Sequence, residues 1–124
     1  MPLVFNHHFS LDEAQQLVPW VEEQLVRLLQ LRMTLRRSVT EPTEVTGHLC
    51  PQSFPRELFE LFGLMRTFEE RGVLLRDPIA GVADLPHLLP SGEEVVLCYL
   101  RGDGVLRFYH GPGGSFGERR PLQR

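Results

Sequence analysis

The last third of the chain combines residue types that bind metal ions or transfer protons. Carboxyl groups stand at Asp84 and Glu94, a thiol at Cys98 and an imidazole at His110, around two short apolar runs. Hard divalent cations prefer carboxylate oxygens, whereas zinc also accepts imidazole and thiolate ligands. No pair of these residues has the short fixed spacing of a known metal motif, so only the fold can bring them together.

Five residues of this region are predicted to bind a ligand: Asp84, Glu94, Tyr109, His110 and Arg119. The two carboxylates and the imidazole among them, Asp84, Glu94 and His110, are also the predicted site for a divalent metal ion, zinc or manganese. His110 precedes a glycine-rich segment, so its imidazole is suited to act as a ligand, as an acid or base, or as a donor to an anion. The competing interpretation is structural, with a strand-end histidine and with carboxylates in turns or caps.

The register of the C-terminal hairpin decides whether Cys98 belongs to this set. A two-residue turn at Asp103-Gly104 pairs Cys98 with Tyr109 and turns the thiol away from the imidazole. A three-residue loop instead pairs it with Phe108, and the thiol and the imidazole then share a face. Because an Asp-Gly pair favours the tight turn, we predict the first register and a small core residue at position 98.

A long first helix is the earliest of the elements that must position these residues. Ser10 and Glu13 form a capping box, which predicts a helix over residues 10–37. Pro19 lies inside this span and predicts a kink, although a regular helix that starts only near Pro19 is the alternative. Apolar residues recur in steps of three and four and form a coiled-coil-like seam: Leu11, Ala14, Val18, Val21, Leu25, Leu28 and Leu35. Further apolar residues outside the seam predict a partner for this helix.

A second helix is predicted over residues 54–71, after a loop over residues 38–53. Its apolar residues have helical spacing and are predicted to lie in the core: Phe54, Leu58, Leu61, Phe62, Met65 and Phe68. Gly72 is a natural stop for this helix. The period then changes to that of strands, and residues 73–122 are predicted to form a small antiparallel sheet with a tight hairpin and a glycine-rich C-terminal segment. We therefore predict one α+β domain over residues 1–124, a helical hairpin packed on a sheet.

Composition limits the classes of function. The chain has 124 residues, of which 42% are hydrophobic, and a net charge of −3, as expected of one globular domain. No apolar run approaches the roughly 20 residues of a membrane span and the first residues resemble no signal peptide, so we expect a cytoplasmic protein with reduced thiols at Cys50 and Cys98. The chain is acidic overall and its basic tail is short, which argues against nucleic-acid binding. No complete catalytic or phosphate-binding motif supports an enzyme class.

Several residues form an ordered pattern at the two ends of the chain. They are Gly81, Asp84, Pro86, Gly92, Glu94, Leu97, Cys98, Tyr99, Gly102, Asp103, Tyr109, His110, Phe116, Arg119, Pro121 and Leu122 in the last third, and Phe9, Leu11, Glu13, Ala14, Leu17 and Pro19 at the start. This order resembles an uncharacterised prokaryotic family, domain of unknown function 2203. Tyr99 and Tyr109 stand where the family pattern has tryptophan, and Asp103 where it has glutamate. The resemblance implies a bacterial cytoplasmic origin and one domain over nearly the whole chain, and it implies no reaction.

Two hypotheses of function follow. The leading one is a small non-enzymatic interaction or ligand-binding protein, a homodimer through the seam of the first helix, whose C-terminal groups bind a protein or small-molecule partner. The alternative is a metal-binding or metal-dependent hydrolytic protein that uses Asp84, Glu94 and His110. The distances among these three side chains separate the hypotheses, because groups more than about 8 Å apart cannot share one cation.

Overall fold

The computed structural model describes residues 2–40 and 54–122, which form two helices and a five-stranded sheet. The elements in chain order are α1 (Leu11–Thr40), α2 (Phe54–Glu70), β1 (Leu74–Asp77), β2 (Val82–Leu88), β3 (Glu94–Leu100), β4 (Phe108–His110) and β5 (Arg120–Pro121), with a short 3-10 turn at Phe116–Glu118. All four strand pairs are antiparallel, in the spatial order β1-β2-β3-β4-β5. The predicted α+β class is confirmed. Neither described helix is long and apolar enough to cross a membrane.

The N-terminus of α1 has the predicted capping box. The backbone N–H of Ser10 donates to Glu13 Oε1 at 2.8 Å, and the N–H of Glu13 donates to Ser10 Oγ at 3.0 Å. The bonds from Ser10, first of all its backbone N–H, lower the pKa of Glu13. The helix is continuous from Leu11 through Pro19 to Thr40, so the alternative start near Pro19 is wrong, while the kink stays a prediction. The rest of the predicted loop, residues 41–53 with Cys50, lies outside the described residues.

The apolar seam of α1 is buried within a single chain. Its members in the core are each at most 3% exposed: Ala14, Val18, Val21, Leu25 and Leu28. They form one cluster with Phe68 of α2 and with one face of the sheet, represented by Leu85, Leu97 and Tyr99. Because α2 and the sheet cover these members within one chain, they are not available to a second copy, and self-association through the rest of α1 stays a prediction.

The second helix has one buried and one exposed apolar face. Phe68 is buried in the core, whereas Phe59, Phe62 and Met65 are 82%, 63% and 42% exposed. The predicted core role is therefore confirmed for Phe68 and wrong for Phe62 and Met65, because α2 packs against α1 and β1 on one side only. The helix ends as predicted at Gly72, which has a left-handed φ of 76° and donates its N–H to the carbonyl of Glu69.

The second face of the sheet is also covered. Val96 and Cys98 alternate with the helix-facing residues of β3, yet both are buried. The C-terminal segment after β4 returns across them: Gly114 lies against His110, and the Arg119 guanidinium lies over the ring of Phe108. This side of the sheet is thus enclosed between the strands and a glycine-rich segment.

The connection between β3 and β4 is longer than the predicted two-residue turn. It spans residues 101–107, and the register pairs Cys98 with Phe108 and Val96 with His110. The predicted register is therefore wrong, and the three-residue-loop alternative gives the observed pairs. Leu106, within this connection, is fully buried in the core. Because the Leu106 side chain must reach the core, the connection is longer than a tight two-residue turn allows.

A partly buried hydrogen-bond network holds this connection to α1. The hydroxyl of Tyr99 donates to Glu22 Oε1 at 2.6 Å, and the same oxygen accepts the N–H of Gly102 at 2.7 Å. The N–H of Gly104 in turn donates to the Tyr99 hydroxyl at 3.0 Å. Burial, followed by the bond to Glu22, raises the pKa of Tyr99 to about 12. The network fixes the loop, and with it the strand register that positions the site described next.

Candidate functional site

Three strands bring Asp84, Cys98 and His110 together on the face of the sheet that the C-terminal segment covers. Asp84 in β2 lies opposite Cys98 in β3, which lies opposite Phe108 in β4. Facing residues and residues two apart share a face, so His110 joins this side. All three residues are buried, and one potential ligand atom from each lies within 4.8 Å of the others. We call these three residues the three-strand cluster.

Asp84 is the anionic member of the cluster and is only 1% exposed in its side chain. Its Oδ2 accepts a hydrogen bond from Arg76 Nε at 2.9 Å and lies 3.3 Å from His110 Nε2. Its Oδ1 is buried and has no hydrogen-bond partner among the described residues. An unsatisfied buried acceptor costs about 1–3 kcal/mol. The Cys98 thiol interacts with the same carboxylate, so the carboxylate group faces both the thiol and the imidazole.

The ring of His110 is oriented by a backbone carbonyl. Its Nδ1 lies 2.7 Å from the carbonyl oxygen of Gly111, which can only accept, so Nδ1 carries a hydrogen. The Nε2 of a neutral ring then presents a lone pair to the Asp84 carboxylate. Two acceptors at 3.3 Å repel each other unless a proton or a metal ion lies between them. Histidines that bind metals commonly donate their other N–H to a carbonyl in this way.

Cys98 supplies a thiol that is buried and free. Burial, followed by the charge of Asp84, raises its pKa to about 12, and the Arg119 guanidinium opposes this increase only in part. The thiol is therefore protonated at neutral pH in the metal-free protein. Cysteine nucleophiles need the thiolate, so the environment of Cys98 argues against covalent catalysis by a free thiolate.

Two arginines flank the three-strand cluster. Arg76 binds Asp84 from β1 and is 43% exposed in its side chain. Arg119 is held between two aromatic rings, 4.3 Å from the centre of Phe108 and 3.7 Å from that of Phe116. Its Nη1 is buried without a hydrogen-bond partner in the described chain. Stacking between two rings fixes the position of a cation beside the Cys98 thiol.

A cavity of about 540 Å³ borders the cluster. Asp84 and His110 form part of its wall together with Arg76, and the C-terminal segment closes another side through Phe116. Volumes of this size are typical of small-molecule pockets. Two members of the cluster thus border a space that can hold a ligand.

Glu94, one of the predicted metal ligands, serves a different part of the fold. Its carboxylate accepts the N–H of Val4 at 2.7 Å and that of Phe5 at 3.0 Å, and it lies 2.7 Å from His8 Nε2. Burial raises the pKa of Glu94, but these bonds outweigh burial and the pKa is lowered overall. Four residues of strand separate Glu94 from Cys98, a distance of about 13 Å. Glu94 anchors the N-terminal segment and does not join Asp84 and His110.

The other predicted ligand residues divide between the two faces of the sheet. Tyr109 pairs with Leu97 and packs against the helix-facing core, because it is one residue from His110 and therefore points the opposite way. Arg119 lies beside the cluster, as described above. Cys98 was predicted to be a small core residue, and no role was predicted for Arg76. The alternative register with a three-residue loop could have identified Cys98, because it places the thiol on the same face as the imidazole.

Comparison with known proteins identifies the family of the chain. The chain matches no curated protein, and it matches no solved structure. A family model described as an uncharacterized conserved protein matches residues 7–122, a span that contains the whole three-strand cluster and both flanking arginines. The resemblance seen in the sequence is thereby confirmed, and the chain belongs to the family of domain of unknown function 2203.

Proposed function

We propose that this protein binds a divalent transition metal ion, zinc in preference to manganese, through Asp84, Cys98 and His110. Zinc accepts carboxylate oxygen, thiolate sulfur and imidazole nitrogen at about 2.0–2.3 Å, which places tetrahedral ligand atoms roughly 3.3–3.8 Å apart. The three atoms here lie within 4.8 Å of one another, so modest side-chain movements bring them to one ion. The thiolate, a soft ligand, disfavours manganese.

The single observation that carries this proposal is the arrangement of His110 and Asp84. The ring is fixed by the Gly111 carbonyl so that its Nε2 points at a carboxylate oxygen 3.3 Å away. A cation between them removes the repulsion between the two acceptors. It also lies beside the unpaired Oδ1 of the same carboxylate and offsets the cost of burying that oxygen. A proton on Nε2 gives an ion pair instead, and the metal analysis below separates the two cases.

Three protein ligands leave one position on a tetrahedral ion for water or for a ligand. The cavity beside Asp84 and His110 supplies space for that position. Metal-dependent hydrolysis uses a water bound in this way, so the arrangement supports the hydrolytic reading of the metal site. A thiolate ligand must also stay reduced, which supports the bacterial cytoplasm as the compartment.

The proposal predicts about one zinc ion per chain in protein purified without an affinity tag. Cys98→Ser and His110→Ala are each expected to abolish stoichiometric zinc, because each removes one of three ligands. Elemental analysis measures the ratio, and the rise in melting temperature on adding zinc gives an independent reading. Circular dichroism checks that the variants fold.

Glu94→Gln is the matched control for this experiment, since Glu94 was part of the predicted metal set but its carboxylate binds the N-terminal segment and is not among the grouped ligand atoms. It should keep the zinc content of the wild type. No zinc in the wild type, or full zinc content in Cys98→Ser, would show that the three-strand cluster is an ordinary buried polar network.

A second candidate function, self-association, is supported by the uncovered face of α2. Phe59, Phe62 and Met65 form an exposed apolar stripe on this helix. Contiguous apolar surface of this kind marks interaction sites in soluble proteins. We propose that the chain self-associates through this stripe, which a second copy covers, and not through the α1 seam.

An antiparallel contact of α2 with its copy, centred between Phe62 and Gly63, sets the ring of Phe62 against a residue without a side chain. Gly63 is exposed and nothing lies within 4 Å of the place a Cβ would take, so Phe62 of the copy can approach the backbone there. The same alignment sets the exposed Arg56 opposite the exposed Glu69 of the copy. A self-complementary patch of this kind is what a two-fold symmetric dimer requires.

Phe62→Glu is expected to convert this dimer into a monomer, because it places a charge at the centre of the contact. Sedimentation at micromolar concentrations measures the molecular mass. Ile79→Glu is the control, since Ile79 is also an exposed apolar residue but lies on the turn after β1. A monomeric wild type, or equal dissociation by both variants, would remove the α2 contact from consideration.

A further inference from the structure

We infer that the cavity beside the three-strand cluster binds a small organic carboxylate, whose carboxylate group takes the open position on the metal ion and pairs with Arg76. The inference rests on the proposed metal site and adds the class of ligand. It is argued from the position of the cavity, the balance of charge around it and the character of its walls.

The cavity reaches the side of the cluster on which a metal-bound ligand must lie. Asp84 and His110 contribute to its wall, whereas Cys98 does not. An ion bound by these three residues therefore has the thiolate behind it and the cavity in front of it. A ligand that enters the cavity meets the open coordination position without displacing any protein ligand.

The charges around the loaded site favour an anion. A zinc ion carries two positive charges and the guanidiniums of Arg76 and Arg119 carry one each, a total of four. They exceed the three negative charges of the Asp84 and Asp77 carboxylates and the Cys98 thiolate. Asp77 also lines the cavity, but its Oδ1 already accepts the N–H groups of Ile79 and Ala80. Removal of the metal ion takes two positive charges away from this set. Attraction of an anion therefore depends on the bound ion.

Arg76 provides the donors that recognise a carboxylate. Its Nε is bonded to Asp84, and its Nη2 makes a long contact of 3.4 Å with the carbonyl of Pro112. The guanidinium is partly exposed and lines the cavity, so its remaining N–H groups are available to a ligand. Planar guanidinium groups match the two oxygens of a carboxylate.

The other walls of the cavity select an organic ligand over an inorganic anion. Ala80, Val82, Leu100 and Phe116 contribute apolar surface to it. An apolar body of a few carbon atoms gains free energy by covering this surface, whereas phosphate leaves it in contact with water. A short aliphatic or aromatic carboxylate combines the required charge with the required apolar part.

Benzoate is a suitable probe, with benzyl alcohol as the neutral analogue and inorganic phosphate as the inorganic anion. In cobalt-substituted protein, benzoate is expected to change the visible absorption spectrum of the ion and to bind more tightly than either comparison compound. The metal-free protein is expected to bind benzoate at least about tenfold more weakly, since both the coordination bond and the net positive charge are lost.

Ala80→Phe reduces the volume of the cavity and replaces none of the metal ligands. It should weaken benzoate binding about tenfold or more and leave cobalt binding unchanged. Ile79→Phe is the matched control, because the neighbouring Ile79 is exposed and does not line the cavity. Arg76→Gln, measured at saturating cobalt, should also weaken benzoate about tenfold while affecting benzyl alcohol little.

The outcomes separate this inference from the function on which it rests. Failure of the protein to bind cobalt or zinc contradicts the metal site itself. A bound ion whose spectrum does not respond to benzoate overturns only the carboxylate site. Equal affinity for phosphate and benzoate overturns the organic character of the ligand, and equal effects of Ala80→Phe and Ile79→Phe overturn the location in this cavity.

Discussion

Replacing Leu25 with alanine is expected to lower the free energy of unfolding by about 2–5 kcal/mol. Leu25 lies in the middle of the α1 seam and is fully buried within one chain, in a cluster that includes Phe68 and Tyr99. Truncation to alanine removes apolar contacts and leaves a cavity that surrounding side chains fill only in part. Urea unfolding monitored by circular dichroism measures the change, with the slope of the transition checked for constancy.

Val26→Ala is the matched control for this measurement. Val26 is the next residue on the same helix and is 36% exposed, so its truncation should cost well under half as much, about 1 kcal/mol or less. Sedimentation should give the same molecular mass for Leu25→Ala as for the wild type. A Leu25→Ala variant that dissociates a dimer yet keeps the unfolding free energy of the monomer would instead place the seam between two chains.

The sequence contained enough local information to predict the elements of the fold. Ser10 and Glu13 satisfy each other's backbone donors, so the start of α1 depends on neighbours three residues away. Gly72 ends α2 because its backbone adopts a left-handed conformation that glycine takes easily, and this preference depends only on the residue itself. Local signals of this kind are present in a single chain segment and can be interpreted without knowledge of the rest of the molecule.

The errors concern contacts between distant segments. The strand register depends on Leu106, which enters the core, and on Glu22 of α1, which binds the loop at Gly102. Nothing within the hairpin itself indicates either contact, and the Asp-Gly pair favoured a different turn. The assignment of the buried seam residues to a second copy failed for a similar reason, because the apolar spacing of a helix does not reveal which neighbour covers it.

The candidate site shows how one register error changes a chemical prediction. Asp84 and His110 were predicted members and the structure places them together, whereas Glu94 was chosen for its charge although the fold uses it to bind Val4 and Phe5. Cys98 was excluded only because the tight turn directed its thiol away from the imidazole. Once the register is known, alternation along the strands is sufficient to place the thiol beside the carboxylate.

Zinc affinity is expected to rise about tenfold for each pH unit, and therefore about 100-fold between pH 6 and pH 8. Burial, and after it the charge of Asp84, raises the pKa of Cys98 to about 12, so the metal-free protein holds the thiol proton throughout this range. The metal binds the thiolate, and each bound ion must release that proton. Because a lower proton concentration favours the release, affinity increases as the pH rises.

Competition with a chromophoric chelator at pH 6, 7 and 8 measures this dependence, and calorimetry in two buffers of different ionisation enthalpy counts the protons released. We expect about one proton per zinc ion from the thiol. Glu94→Gln should keep the full slope, since Glu94 binds the N-terminal segment. If Cys98→Ser retains any zinc binding, the affinity of that binding should no longer rise tenfold per pH unit. An affinity that does not change with pH in the wild type, or an unchanged slope in Cys98→Ser, would mean that the Cys98 thiol is not a ligand and that the metal site cannot be the one formed by the three strands.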